Sequence, residues 1–279
     1  MKKINRRSFL AAAGLTAAAL ALTACGGSAS STASSTASSA ASSEAASTSA
    51  AAGELATVEA GKLTMATNAA FPPYEMTTDA GEFEGIDIET AQAIADKLGL
   101  ELQIDDMDFD AALLSVQQGK ADIVMAGVTV TDERKAVMDF SDSYATGIQS
   151  IIVPEGSDIA SPDDLAGKKI GTQRGTTGYI YCSDDFGDDN VVAYDDGLTA
   201  VQALNNGQVD AVVIDNAPAQ EFVAANPGLV ILDTSYAEED YAIGMAKGSS
   251  LEDAVNAALK ELKADGTLQS IVDKYITAE

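Results

Sequence analysis

The chain runs to 279 residues, with 16 Lys+Arg against 43 Asp+Glu, no histidine and a formal net charge of −27. So acidic a protein does not bind nucleic acid or anionic lipid headgroups electrostatically. Without histidine, Ser-His-Asp and Cys-His catalysis and Cys/His metal clusters are excluded as well.

The first 25 residues read as a leader. MKKINRR is a basic n-region, and SFLAAAGLTAAALALTA is an apolar h-region too short and too Ala-rich for a comfortable membrane span. It runs into Leu22-Thr23-Ala24-Cys25, which resembles a lipobox. Cys25 would then be lipidated and become the mature N-terminus, anchoring an outward-facing protein to the cell membrane. NRRSFL also resembles a twin-arginine signal, and the export route stays open. Loss of residues 1–25 removes Lys2, Lys3, Arg6 and Arg7 and no acid, which takes the net charge to −31. Cys182 is the only other cysteine, so no intramolecular disulfide is expected, and it reads as a buried or idle thiol. Residues 26–60 are Ser/Ala/Thr low complexity with almost nothing to bury, which predicts a flexible tether.

From Gly61 onward, short apolar runs alternate with stretches of helical spacing. LTMATN (63–68) reads as a strand, IETAQAIADKLG (88–99) and AALLSVQQG (111–119) as helices ending on glycine, and ADIVMAG (121–127) as a strand. KKIGTQ (168–173) and NVVAY (190–194) read as strands, LTAVQALNNG (198–207) as a helix, VDAVVID (209–215) as a strand and SLEDAVNAALKELKADG (250–266) as a helix. Such alternation argues for an α/β fold with largely parallel sheets. QQGKADIVMAG and NNGQVDAVVID share one plan, a helix end, a glycine and then a strand. Each strand would end where open α/β sheets bind ligands.

Those strand ends carry the candidate chemistry. Arg134 follows the first, in TVTDERK; the bland reading makes Thr131 a helix cap and Arg134 a residue on a solvated face. Asp215 closes the second, where it could instead cap the helix beginning at NAPAQEF. GTQRGTTG (171–178) places glycines at a strand-to-helix turn suited to an anion, with the amides around Thr176 and Thr177 as donors. It is neither a Walker loop nor a dinucleotide fingerprint, so a carboxylate suits it better than a nucleotide. DDMDFD (105–110) lacks the spacing of a calcium loop, and SDDFGDDN (183–190) reads as a solvated loop. An arginine, an anion-holding turn and a strand-end aspartate together suit a zwitterion, with FPPY (71–74) and Phe109 as aromatic surface.

At these residues the sequence resembles the polar amino-acid substrate-binding proteins of ABC transporters, the solute-binding proteins of family 3. The likeness runs from about Leu63 to Ile276 through ATNAAFPPYE, GEFEGIDIETAQAIA, MDFDAALLSVQQGKADIVMAGVTVTDERKAVMDFSDSY, LAGKKIGTQRGTTG, DAVVIDNAP and LKADGTLQSIVDKY. It implies a periplasmic-binding-protein-like fold of two lobes, each a central mostly parallel sheet flanked by helices, joined by two hinge strands. Residues 61–148 with 240–279 would form one lobe and 149–239 the other, with GIQSIIV and EEDYAIGM as crossovers. The resemblance implies that Arg134 holds the α-carboxylate with Thr129 and the backbone N–H of Thr177. Asp215 and the Gly127 carbonyl would hold the amine, Phe71 and Phe109 would sandwich the side chain, and Asn68 and Gln173 would set specificity. Basic amino-acid binders resembling this chain carry aspartate at the place of Asn68, so an amide there points to a polar, uncharged ligand. Arg174 would either add positive potential near the cleft or face solvent. The implied function is a monomeric, lipid-anchored receptor that delivers an amino acid to an ABC permease, with no cofactor and no catalysis. The same fold resembles secreted cyclohexadienyl dehydratases, for which Glu75 is the one placeable acid.

Overall fold

The computed structural model describes residues 55–276. The leader, Cys25 and the tether as far as residue 54 lie outside the described residues. β1 (Lys62–Thr67) leads into a small antiparallel sheet of β2 (Ala70–Phe71), β3 (Glu75–Thr77) and β4 (Phe83–Glu84). Then come α1 (Ile86–Leu98), β5 (Glu101–Asp106), α2 (Phe109–Gln117), β6 (Ile123–Val124), α3 (Asp132–Val137) and β7 (Met138–Phe140). A long strand, β8 (Ala145–Pro154), is followed by β9 (Ile170–Gln173), α4 (Thr177–Phe186), β10 (Val191–Tyr194), α5 (Gly197–Asn205), β11 (Ala211–Asp215), α6 (Asn216–Ala225) and β12 (Leu229–Ile231). β13 (Ala237–Tyr241), β14 (Gly244–Ala246), α7 (Glu252–Ala264) and α8 (Thr267–Tyr275) complete the order.

Two larger sheets form. The first has the order β5-β1-β6-β14-β7, and the second β10-β9-β11-β8-β12 with β13 also on β8. β5, β1 and β6 run parallel in the first, as do β10, β9 and β11 in the second; β14 and β8 join them antiparallel. This is a mixed α/β architecture of the two-lobed periplasmic-binding-protein type. Because the inner strands are covered on both faces, they read as apolar runs and not as alternations: Leu63, Met65 and Ala66 are fully buried. α1 covers the first sheet with Ile86, Ile88, Ala91, Ile94 and Ala95, spaced at helical period, and stops at Gly99 in the left-handed region. Truncating Ile94, fully buried in that core, would cost about 2–5 kcal/mol.

GIQSIIV lies within β8 of the second sheet, whereas EEDYAIGM runs from β13 of the second sheet into β14 of the first. β8 pairs antiparallel with β13, from Ala145 opposite Tyr241 to Gln149 opposite Ala237, and then with β11 and β12. Gly147 is needed here, since a Cβ would lie 2.6 Å from the Tyr241 ring that crosses the strand.

The structure departs from the sequence pattern at several points. ADIVMAG supplies a strand only at Ile123–Val124, because the chain then turns through Gly127 at φ +53°. Ser183–Phe186 of SDDFGDDN is the end of α4 and not loop. Two segments that received no assignment from the sequence also form elements: ELQIDD is the edge strand β5, whose half-exposed residues lack a clear alternation, and TLQSIVDKY is α8. The folded part also reaches back into the end of the segment whose composition reads as tether. Leu55 packs against the first core, and the Val58 N–H donates to Asp122 Oδ1 at 2.7 Å. Cys182 is buried, and burial pushes its thiol up to about 12.

Candidate functional site

Parallel strands bring their carboxyl ends to one edge of each sheet, and the candidate residues cluster there. β1 ends beside Asn68, β6 leads to Gly127 and α3, β9 ends at Gln173, and β11 ends at Asp215. Asn68, Phe71, Phe109, Gly127, Thr129, Arg134, Gln173, Thr176, Thr177 and Asp215 all line a single cleft, and so do Glu75, Gln149 and Tyr241.

Thr131 does cap α3, accepting the Arg134 N–H at 3.1 Å. The solvated-face reading of Arg134 nevertheless fails, for the residue is only 8% exposed. Its Nη1 donates to the Thr129 carbonyl at 2.9 Å and its Nη2 to the Gly175 carbonyl at 3.2 Å. The guanidinium lies 5.4 Å from the Phe109 ring centroid, within cation–π range. Burial draws the guanidinium below its ordinary pKa, while the charge of Glu239 opposes the shift. A buried cation whose direct hydrogen-bond partners are neutral carbonyls is suited to an incoming anion.

Asp215 lines the same cleft and is itself buried. Its Oδ1 accepts the Ile148 N–H at 3.0 Å, and its Oδ2 accepts from Gln149 Nε2 at 3.0 Å and from the Tyr241 hydroxyl. Asp215 does occupy the N-cap position of α6, but its side chain makes no capping hydrogen bond. Burial pushes its carboxyl up to about 6, with the Tyr241 hydrogen bond opposing. An ammonium group placed against it would reverse that shift.

At the remaining end, two amides meet across the cleft. Gln173 Nε2 donates to Asn68 Oδ1 at 2.8 Å and to the Asp195 carbonyl at 3.2 Å, while Asn68 Nδ2 donates to the Met107 carbonyl at 3.0 Å. Phe71 stacks on Tyr74 with ring centroids 5.8 Å apart. Thr176 caps α4, accepting the Tyr179 N–H at 3.3 Å, and the Thr129 and Thr177 hydroxyls lie 3.4 Å apart. Arg174 faces solvent, its side chain 57% exposed and 3.7 Å from Asp195.

Sequence reasoning gave no role to Gln149 and Tyr241, which come from the crossovers. The available signal was the two-residue period of EEDYAIGM, which buries Glu239 and Tyr241 on one side of β13. Glu75 is fully buried, with its carboxyl group beside that of Asp87. Burial first, and the Asp87 charge next, push its carboxyl well above the ordinary range. Asp87 is likewise buried and pushed up to about 6; its Oδ2 accepts the Gly127 N–H at 3.0 Å and the Tyr144 hydroxyl at 2.8 Å.

A two-lobed α/β fold with an interlobe cleft holding a buried cation and a buried carboxylate defines a solute-binding protein. The chain belongs to the bacterial extracellular solute-binding proteins, family 3, whose profile matches residues 63–278. It is 33% identical over 226 residues to the L-cystine-binding protein TcyJ of Escherichia coli K12, covering 79% of this chain and 85% of that protein. Among solved structures, it is similar to the arginine-, lysine-, histidine-binding protein ArtJ of Geobacillus stearothermophilus. That likeness has a TM-score of 0.75 and 34% identity, and covers 78% of this chain and 96% of the other. It is also similar to an ancestral arginine-binding protein bound to glutamine, with a TM-score of 0.75 and 41% identity over 79% of this chain and 100% of the other. Among the described residues no helix is long and apolar enough to cross a membrane.

Proposed function

We propose that this protein is a lipid-anchored extracytoplasmic receptor that takes a free amino acid between its lobes and delivers it to an ABC permease. The observation that carries this reading is the pairing of buried Arg134 with buried Asp215 in one cleft, after strands of different sheets. Arg134, Thr129 and the Thr177 N–H hold the α-carboxylate; Asp215 and the Gly127 carbonyl hold the ammonium. Phe71 and Phe109 enclose the side chain, with Thr176 setting the start of α4. Asn68 and Gln173 face the side chain's polar end with neutral amides, which favours a polar, uncharged amino acid over a cationic one. With lobes taken as 61–148 plus 240–279 and 149–239, a ligand touching both stabilises closure by its differential contacts. The relatives' names, as binders of cystine, of arginine and of histidine, support an amino acid as cargo. Cys25 provides the anchor, and the protein acts as a monomer.

One observation favours the rival dehydratase reading: Glu75 lines the cleft and burial holds its carboxyl toward the neutral, proton-carrying form. A thermal-shift panel of L-amino acids beside an assay of prephenate and arogenate turnover separates the two. The receptor reading expects a shift with at least one amino acid and no turnover. Turnover, or a panel without a shift, would defeat it.

A further inference from the structure

Behind the wall of the cleft, on the second crossover, sits a carboxylate that none of the proposed ligand contacts uses. Glu239 of β13 is 6% exposed. Its Oε2 accepts from Thr129 Oγ1 at 3.1 Å and from Gln149 Nε2 at 3.0 Å, and its Oε1 is buried without a hydrogen-bond partner among the described residues. Gln149 Nε2 also donates to Asp215 Oδ2 at 3.0 Å. Leaving one oxygen of a buried carboxylate unpaired is costly.

A threonine hydroxyl has one proton, and a glutamine amide has two, both on its nitrogen. With its proton on Glu239, the Thr129 hydroxyl has a fixed rotation. With one amide proton on Glu239 and the other on Asp215, Gln149 cannot flip, since its oxygen would then face a carboxylate. One group therefore orients Thr129, at the carboxylate end of the cleft, and Gln149, which supports Asp215 at the amine end. The backbone supports the same coupling: the Val130 N–H donates to the Asp240 carbonyl at 2.9 Å and the Ala242 N–H to the Val128 carbonyl at 3.1 Å.

We propose that Glu239 is a positioning residue for amino-acid capture, holding Thr129 and Gln149 from the hinge and, through Gln149, Asp215. The proposal rests on the reading that an amino acid lies between Arg134 and Asp215. It concerns where the oxygen sits, not the charge it carries, and two conservative variants separate these. Glu239→Gln keeps an oxygen for Thr129 and Gln149 and loses the charge. Glu239→Asp keeps the charge and withdraws the oxygens by one methylene.

The full-length protein and both variants are screened by thermal shift with the proteinogenic L-amino acids and L-cystine, and each amino acid that shifts the parent is titrated calorimetrically. Glu239→Gln is expected to bind within about threefold of the parent, and Glu239→Asp at least about tenfold more weakly. A Glu239→Asp affinity within threefold of the parent, or a Glu239→Gln loss as large as that of Glu239→Asp, would overturn the proposal alone. If no amino acid shifts the parent, the amino-acid reading itself fails and the Glu239 proposal falls with it.

Discussion

Replacing Arg134 by alanine removes the cationic side of the proposed clamp. Two consequences are separable because the structure gives the arginine two kinds of work. In the unliganded protein, its loss frees the Thr129 and Gly175 carbonyls and empties the space beside Phe109, while relieving the protein of a buried cation. These effects oppose one another, and the net loss of stability should be about 1–2 kcal/mol. In the liganded protein, the α-carboxylate would be enclosed with no matching charge. Truncating one partner of a desolvated, hydrogen-bonded charge pair costs about 2–5 kcal/mol, or about 30- to several-thousand-fold in affinity. Calorimetric titration of parent and Arg134→Ala with the same amino acid measures this directly. Titration with that amino acid's methyl ester adds the control: the ester should bind the parent far more weakly, yet cost the variant little more. Binding by Arg134→Ala within about threefold of the parent would refute the clamp, because a tenfold change already corresponds to only about 1.4 kcal/mol.

Asn68→Asp should move preference toward L-arginine relative to L-glutamine, since a carboxylate enclosed by closure seeks a cation; no relative gain in calorimetric affinity would remove Asn68 from the side-chain pocket. Affinity should also depend on pH, because the ammonium needs Asp215 ionised and burial has pushed that carboxyl up to about 6. Binding is expected to hold above that value and to weaken by up to about tenfold per unit below it, whereas Asp215→Asn should bind weakly without that dependence; a flat parent profile down to pH of about 4.5 would contradict the role. The same raised value predicts that the unliganded protein loses stability as pH rises from about 4 to about 6, since the unfolded chain releases its proton first. Asp87, also pushed up to about 6, acts in the same direction, and Asp215→Asn should flatten part of this slope in thermal melts. Finally, Cys25→Ser should leave the leader unprocessed or free the protein from membranes without altering ligand affinity; a serine variant of normal mature size still on the membrane would exclude the lipid anchor.

The strand ends were legible because they depend on local pattern. A glycine after a helix, then an apolar run, locates β6 and β11, and parallel pairing carries Gly127 and Asp215 to the mouth of the cleft. The fate of Arg134 was not legible from its surroundings. TDER satisfies every rule for an exposed first turn, and the Thr131 cap indeed forms, yet the side chain turns inward toward Phe109 and Gly175. Burial of a charge is decided by what the rest of the fold places around it, which no local window contains. Gln149, Glu239 and Tyr241 were missed for a related reason. They belong to strands whose meaning comes from the register between β8 and β13, residues about 90 positions apart in the chain, as in the Gln149–Glu239 hydrogen bond. The short docking of Leu55 and Val58 was hidden by composition. Its cause is Asp122, whose two oxygens accept the Val58 and Thr64 N–H groups.

In the proposed complex a single amino acid bridges Arg134 and Asp215. A crystal structure of the protein grown with the amino acid that gives the largest thermal shift tests it most directly. The α-carboxylate is expected within about 3 Å of the Arg134 guanidinium and the ammonium nitrogen within about 3 Å of an Asp215 oxygen. A ligand bound elsewhere, or lying in the cleft with its carboxylate away from Arg134 or its ammonium away from Asp215, would contradict it.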